Sequence, residues 1–243
     1  MISCELQGGL GNMLFQIATT YSLALDNDDT CVFDFDRHSK MQRLQSRDAN
    51  VYRSNIFSNL IQGSLAEKQH YTEPAYAYTK IEYKPNLCLN GYFQSELYFK
   101  HRRNDLLRLF NVERGGKWDD YTSVHIRRGD YIHFQKVHPM LSVEYYKEAL
   151  SLLPNSRYIV FSDDIEWCRH LFKGVNVEFS HREDHEELLI MSQCKNNIIA
   201  NSSFSWWGGW LNSNKDKKIV APKRWFGDTK DTKDLYAEGW ILI

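Results

Sequence analysis

The chain has no imbalance of charge. Thirty Lys and Arg stand against 31 Asp and Glu in 243 residues, a formal net charge of -1. No long-range field therefore draws it to nucleic acid or to an anionic membrane, and any anion site must be built locally. No uninterrupted apolar run reaches the ~20 residues that a membrane span needs. The amino terminus opens on a short strand, not on a charged segment followed by an apolar one. These absences predict a soluble, cytoplasmic protein with no integral membrane segment. Cysteine is sparse: Cys4, Cys31, Cys88, Cys168 and Cys194 form no CxxC pair and no zinc-ligand spacing. Buried free thiols in a reducing compartment are the expectation. Internal repeats and low-complexity tracts are also missing. Aromatic residues, by contrast, are plentiful, at 14% with seven Trp. Such rings cover the apolar face of a pyranose in sugar-binding clefts, and they fill cores equally well.

The order of apolar patterns predicts an α/β protein in two halves. Met1 to Leu6 reads as a strand, Gln7 to Asn12 as a glycine-rich turn, Met13 to Leu25 as a helix and Thr30 to Phe35 as a second strand. That βαβ opening implies a parallel sheet. Residues 36 to 85 are irregular and tyrosine-rich. Leu87 to Phe93 reads as a strand and Tyr98 to Phe110 as a helix, and Asn111 to Lys117 is the linker candidate. Beyond it strands at 123–127, 157–162, 175–179, 197–200 and 218–221 alternate with helices at 143–153, 165–172, 185–194 and 204–211, a Rossmann-like pattern. The expected domains are residues 1–114 and 118–243, two Rossmann-type α/β units facing across a cleft.

The most informative run is Val124-His125-Ile126-Arg127-Arg128-Gly129-Asp130-Tyr131. It reads as a strand ending in two guanidinium groups, where open α/β sheets place their ligands. An arginine fork matches phosphate oxygens two at a time. The period of two puts His125 and Arg127 on one face and Arg128 on the other. One arginine would then clamp a phosphate while the other holds the loop. The alternative is a surface pair satisfied by Asp130 and neighbouring carboxylates. Gly8-Gly9-Leu10-Gly11-Asn12 sits between strand and helix, where glycine admits close backbone approach and a helix amino terminus offers unpaired N–H groups. Asn201-Ser202-Ser203-Phe204-Ser205-Trp206-Trp207-Gly208 repeats that geometry, with ordinary serine capping as the alternative; the tandem Trp are expected to pack the domain. Asp34-Phe35-Asp36 could hold a divalent metal on a nucleotide-sugar, or could simply be turn aspartates. Ser162-Asp163-Asp164 is expected to cap the next helix. Asp184, at the mouth of the second sheet, could accept the paired N–H groups of a guanine edge.

Three of these runs, Gly8 to Asn12 with Phe15-Gln16, His125 to Tyr131, and Asn201 to Gly208, together resemble the motifs of family 11 glycosyltransferases, the α-1,2-fucosyltransferases. Gly91 to Glu96, His138-Pro139, Glu144-Tyr145-Tyr146 and Phe161 to Asp164 with Trp167 extend the match nearly end to end. Met13-Leu14 stands where the family commonly has Gln-Met. The resemblance implies a GT-B-like fold, GDP-fucose as donor, inversion at the fucose anomeric carbon, no required metal or other cofactor, and a galactose-containing glycan as acceptor. It implies roles at the diphosphate for Arg127 and Arg128, supported by His125, with Ser202, Ser203 and Phe204 as a second phosphate-side motif. Gly11 and Asn12 match the first loop, and Asp184 the guanine-reading carboxylate. Asp130, Asp36 and Glu96 are candidate general bases among which spacing does not choose; Asp130 adjoins the arginines. A metal-dependent transferase built on Asp34 and Asp36, and a non-catalytic nucleotide- or glycan-binding module, are the competing readings.

Overall fold

A computed structural model of the chain describes residues 1–36, 47–113, 115–154, 157–227 and 230–243. These group into two compact units, Met1–Val112 with Asp231–Ala237, and Glu113–Lys230 with Glu238–Ile243. Part of the 36–85 stretch and Arg114 lie outside the described residues.

In the first unit β1 (Ser3–Cys4), β2 (Gln69–Thr72) and β3 (Leu87–Asn90) form a parallel sheet in the order β1-β3-β2. Helix α1 spans Leu10–Leu25, and its buried face carries Met13, Leu14, Ile17 and Ala18. It begins three residues earlier than the apolar spacing suggests, because Gly9 caps it and Leu10 opens its first turn. The strand expected over 30–35 is reduced to two isolated bridges, Ile2 with Cys31 and Phe33 with Gln62. A turn ends it: the backbone N–H of Asp36 donates to the side chain of Asp34. The helix expected over 98–110 is broken as well. Phe99 has φ of -147° and its ring is fully buried, so 3-10 turns at Glu96–Tyr98 and Lys100–Arg102 precede α2 (Arg103–Leu109). β2 carried no sequence signal, since it is an edge strand exposed at most positions.

In the second unit β4 (Tyr121–Ile126), β5 (Arg157–Ser162), β6 (Val177–Phe179), β7 (Asn196–Ile198), β8 (Ile219–Ala221) and β9 (Ile241–Leu242) form one sheet. Every pairing is parallel, and the order is β6-β5-β4-β7-β8-β9. Counted from β4, that is the 3-2-1-4-5-6 order of doubly wound sheets. Helices α3 (Val143–Ser151), α4 (Ile165–Leu171), α5 (Asp184–Gln193) and α6 (Ser203–Leu211) connect the strands. Alternation sorts the two faces. Val124, Ile126, Tyr158 and Val160 pack with Tyr146 and Ala149 of α3 and Cys168 of α4. Tyr121, Ile159 and Phe161 pack with Ile190 and Met191 of α5. The tandem Trp are core: Trp206 and Trp207 are fully buried, and Trp206 packs on Trp210 and Trp240. All five cysteines are buried and free. No helix among the described residues is long and apolar enough to cross a membrane.

Candidate active site

A doubly wound sheet opens a crevice where its strand order reverses. Here that point lies between β4 and β7, which are neighbours in the sheet although two other strands separate them in sequence. Past the carboxyl end of β4 come Arg127 and Arg128. Past the end of β7 come Asn201, Ser202 and Ser203, leading into α6. The topology therefore joins the two runs that the sequence marked separately.

The two faces of β4 separate the motif's side chains. His125 is buried on the α5–α6 side, its ring 5.4 Å from that of Phe204. Burial, helped by the positive charge of Arg127, holds the imidazole down to about 3, so it is neutral at physiological pH. Arg128 points to the other side, where its guanidinium lies 4.2 Å above the Trp167 ring and Nε donates to Asp164 at 2.9 Å. Asp164 also accepts from the backbone N–H of Trp167 and so caps α4, as expected for that run. The hydrogen bond from Arg128, then that from Trp167, hold its carboxyl below the usual carboxylate range.

Arg127 is one-third exposed and sits between two carboxylates, Asp130 and Asp163, the latter at 2.7 Å from Nη1. Asp163 also accepts from the backbone N–H of Arg128 at 2.8 Å. Gly129 permits this approach: a Cβ there would sit 2.5 Å from Asp163 Oδ2. The carboxylate-paired alternative weighed for the arginines is thus partly realised, with three acids behind two guanidiniums. These contacts engage Nη1 and Nη2 of Arg127 and Nε of Arg128, and a guanidinium has five N–H donors. Donors remain on both for an anion, on side chains that the carboxylates already orient.

Across the switch point Ser202 is the N-cap of α6, yet its side chain makes no capping hydrogen bond. The helix amino terminus therefore keeps backbone N–H groups available to an anion. Tyr131, buried beside Arg127, donates through its hydroxyl to the carbonyl of Asn201 at 3.0 Å, tying the two loops together. The Asn201 amide donates to the carbonyls of Pro139 and Trp225. Asp163, Tyr131 and Asn201 are site residues whose supporting roles no spacing in the sequence announces. Asp184 opens α5 after the edge strand β6, behind a capping box made by Glu183 and Glu186.

Gly11 and Asn12 belong to the first unit and lie in the first turn of α1, after β1. Gly8 has φ of +81°, and a Cβ on it would sit 2.4 Å from Asn12 Nδ2, so this turn requires glycine. Asn12 Oδ1 accepts from Gln94 Nε2 at 2.8 Å, and Gln94 is bonded in turn to the Tyr76 hydroxyl. The Asp34–Asp36 run forms a side-chain-closed turn, with Gln62 and Asn50 donating to Asp36. This is the arrangement of turn aspartates. Of the other candidate bases, Glu96 is buried, whereas Asp130 is half-exposed beside Arg127.

Comparison with known proteins bears on the family and the fold. The O-antigen biosynthesis glycosyltransferase WbnK of Escherichia coli is 32% identical over the full length of both chains. An alpha-1,2-colitosyltransferase of Escherichia coli is 29% identical across 100% of this chain and 99% of that one. Among solved structures, the heptosyltransferase WaaC of E. coli with ADP superposes with a TM-score of 0.52 at 12% identity, covering 99% of this chain and 92% of that one, a likeness of fold. The sequence model of Glycosyl transferase family 11 matches residues 1–243. With a GT-B-like α/β fold and a match to the family from end to end, the chain belongs to glycosyl transferase family 11 and is a glycosyltransferase.

Proposed function

We propose that this protein moves fucose from GDP-β-L-fucose to the 2-hydroxyl of a galactose-containing acceptor glycan, with inversion. The observation that carries the reading is the convergence of Arg127, Arg128 and the amino terminus of α6 at the β4–β7 switch point. In this reaction the bond from the anomeric carbon to the β-phosphate oxygen breaks as the acceptor hydroxyl attacks from the opposite face and loses its proton. Negative charge grows on the departing diphosphate. Preoriented guanidinium and backbone N–H donors are worth most against that growing charge. Arg127 and Arg128 would carry this stabilisation, with Ser202, Ser203 and Phe204 completing the phosphate side. His125 stays neutral and packs the strand end. Asp130 is the carboxylate nearest the clamp and the candidate to take the acceptor proton. Gly11 and Asn12 shape the first unit's loop, and Asp184 would read the guanine edge. No metal is required.

The likeness to an alpha-1,2-colitosyltransferase favours one second reading, a colitose donor in place of fucose. A diphosphate clamp acts on what two nucleotide-sugars share, so the clamp residues alone do not separate these donors. The test is release of GDP from each donor over a panel of β-galactosides, with the linkage read by NMR and parallel reactions in EDTA. An α-1,2-fucosylated product formed in EDTA is expected. Loss of transfer in EDTA would move the reaction to the metal-dependent reading on Asp34 and Asp36. Nucleotide binding with no donor cleavage on any acceptor would make the protein a binding module.

A further inference from the structure

The three-stranded sheet of the first unit presents a second cluster, unrelated to phosphate. Cys88 lies on the central strand β3, and His70 of β2 is its register partner on one side. On the other side Cys88 pairs with Ser3, and Glu5 follows two residues later, its backbone N–H donating to Leu89. Side chains alternate along strands, so Glu5, His70 and Cys88 share one face. The parallel register fixes their spacing without any ligand. One carboxylate oxygen, one imidazole nitrogen and the thiol sulfur all lie within 4.8 Å of one another. Burial is graded: Cys88 is buried against Val32 and Leu65, Glu5 is intermediate, and His70 is exposed. An ion would enter past the imidazole.

We propose that Glu5, His70 and Cys88 form a zinc-class transition-metal site with an open fourth position. Thiolate, imidazole and carboxylate is a donor set suited to zinc, whose bonds to them run about 2.0–2.3 Å. A tetrahedral ion at those lengths separates its ligand atoms by about 3.3–3.6 Å, so a cluster within 4.8 Å must close by at most about 1.5 Å. Glu5 and His70, the two less buried members, can supply that by rotamer adjustment. Binding expels the thiol proton and cross-links all three strands of the sheet. Glu5 stands three residues before Gly8, so the ion would also anchor the root of the glycine loop. The site is separate from the donor chemistry proposed above and does not depend on it.

Zinc content of the purified chain and cobalt(II) titration of the zinc-free chain test the proposal. The expected result is one metal per chain, a thiolate-to-cobalt charge-transfer band, and a melting temperature that zinc raises. Cys88→Ser should abolish the band, whereas Cys4→Ser, altering the other sheet face, should keep it. His70→Ala changes an exposed side chain, leaves the fold intact, and should lose both the bound zinc and the zinc-dependent rise in melting temperature. A band that persists in Cys88→Ser, or zinc retention by His70→Ala equal to that of the unaltered protein, would overturn the site. So would an unaltered chain that binds no zinc.

Discussion

Replacing Arg127 by alanine separates catalysis from folding. Its guanidinium is one-third exposed and makes two ion pairs, with Asp130 and Asp163. Partly exposed pairs contribute ~0–1 kcal/mol each, so the fold loses at most about 2 kcal/mol. For a domain of this size each kcal/mol moves the melting temperature by roughly 2–4 °C, and the variant stays folded at 25 °C. Against the transition state the loss is larger: removing one preoriented donor costs ~3–4 kcal/mol, or ~10²–10³ in turnover. Arg127→Lys keeps the charge but not the fork, and should recover little of the rate. The assay is kcat for GDP release from GDP-fucose, with melting curves of the same samples. If Arg127 served only to neutralise its acidic neighbours, Arg127→Lys, which keeps the charge, would restore turnover. Restored turnover in Arg127→Lys, or unaltered kcat in Arg127→Ala, would refute the clamp.

Other expectations follow from the same geometry. Burial holds His125 down to about 3, against ~6.5 in the unfolded chain. Its contribution to stability is whole above pH ~6.5 and shrinks as pH falls toward about 3, because the unfolded chain takes up a proton that the folded chain refuses. Between pH 7 and 5 this amounts to ~2 kcal/mol; urea melts should show a shallower pH dependence for His125→Asn, and an identical slope would contradict the neutral imidazole. Gly129→Ala places a methyl 2.5 Å from a carboxylate oxygen of Asp163. That side chain would have to leave Arg127 and the Arg128 backbone N–H, so turnover should fall; normal turnover in this variant would count against the role given to Asp163. Gly8→Ala meets both positive φ and a 2.4 Å contact, and an L residue in that region pays roughly 1–2 kcal/mol. Calorimetry should show a lower melting temperature, and no change would mean that the turn relaxes.

Much of the second unit was legible from periodicity. Strand β5 falls where alternation put it, and α3 to α6 start within one residue of expectation, because each presents one apolar face to a sheet buried on both sides. The first unit was less legible. β2 is mostly exposed and lacks alternation, the strand expected over 30–35 is only bridges, and a buried Phe99 interrupts the helix that the spacing around it suggests. Local pattern reports burial only where an element has a buried face to report.

The sequence by itself marked the groups to which the chemistry is assigned under the proposed function. Two adjacent guanidiniums at a strand end, two loops leading into helices, and the resemblance those runs carry are all written in neighbouring residues. Only the tertiary structure decided that the β4 and β7 loops meet, that Asp163 orients Arg127 and the Arg128 backbone, that Arg128 lies against Trp167 while His125 lies against Phe204, and that Glu5, His70 and Cys88 share one sheet face. Strand order and register create those meetings, and both are set by packing between segments far apart in the chain, which no local run of residues encodes.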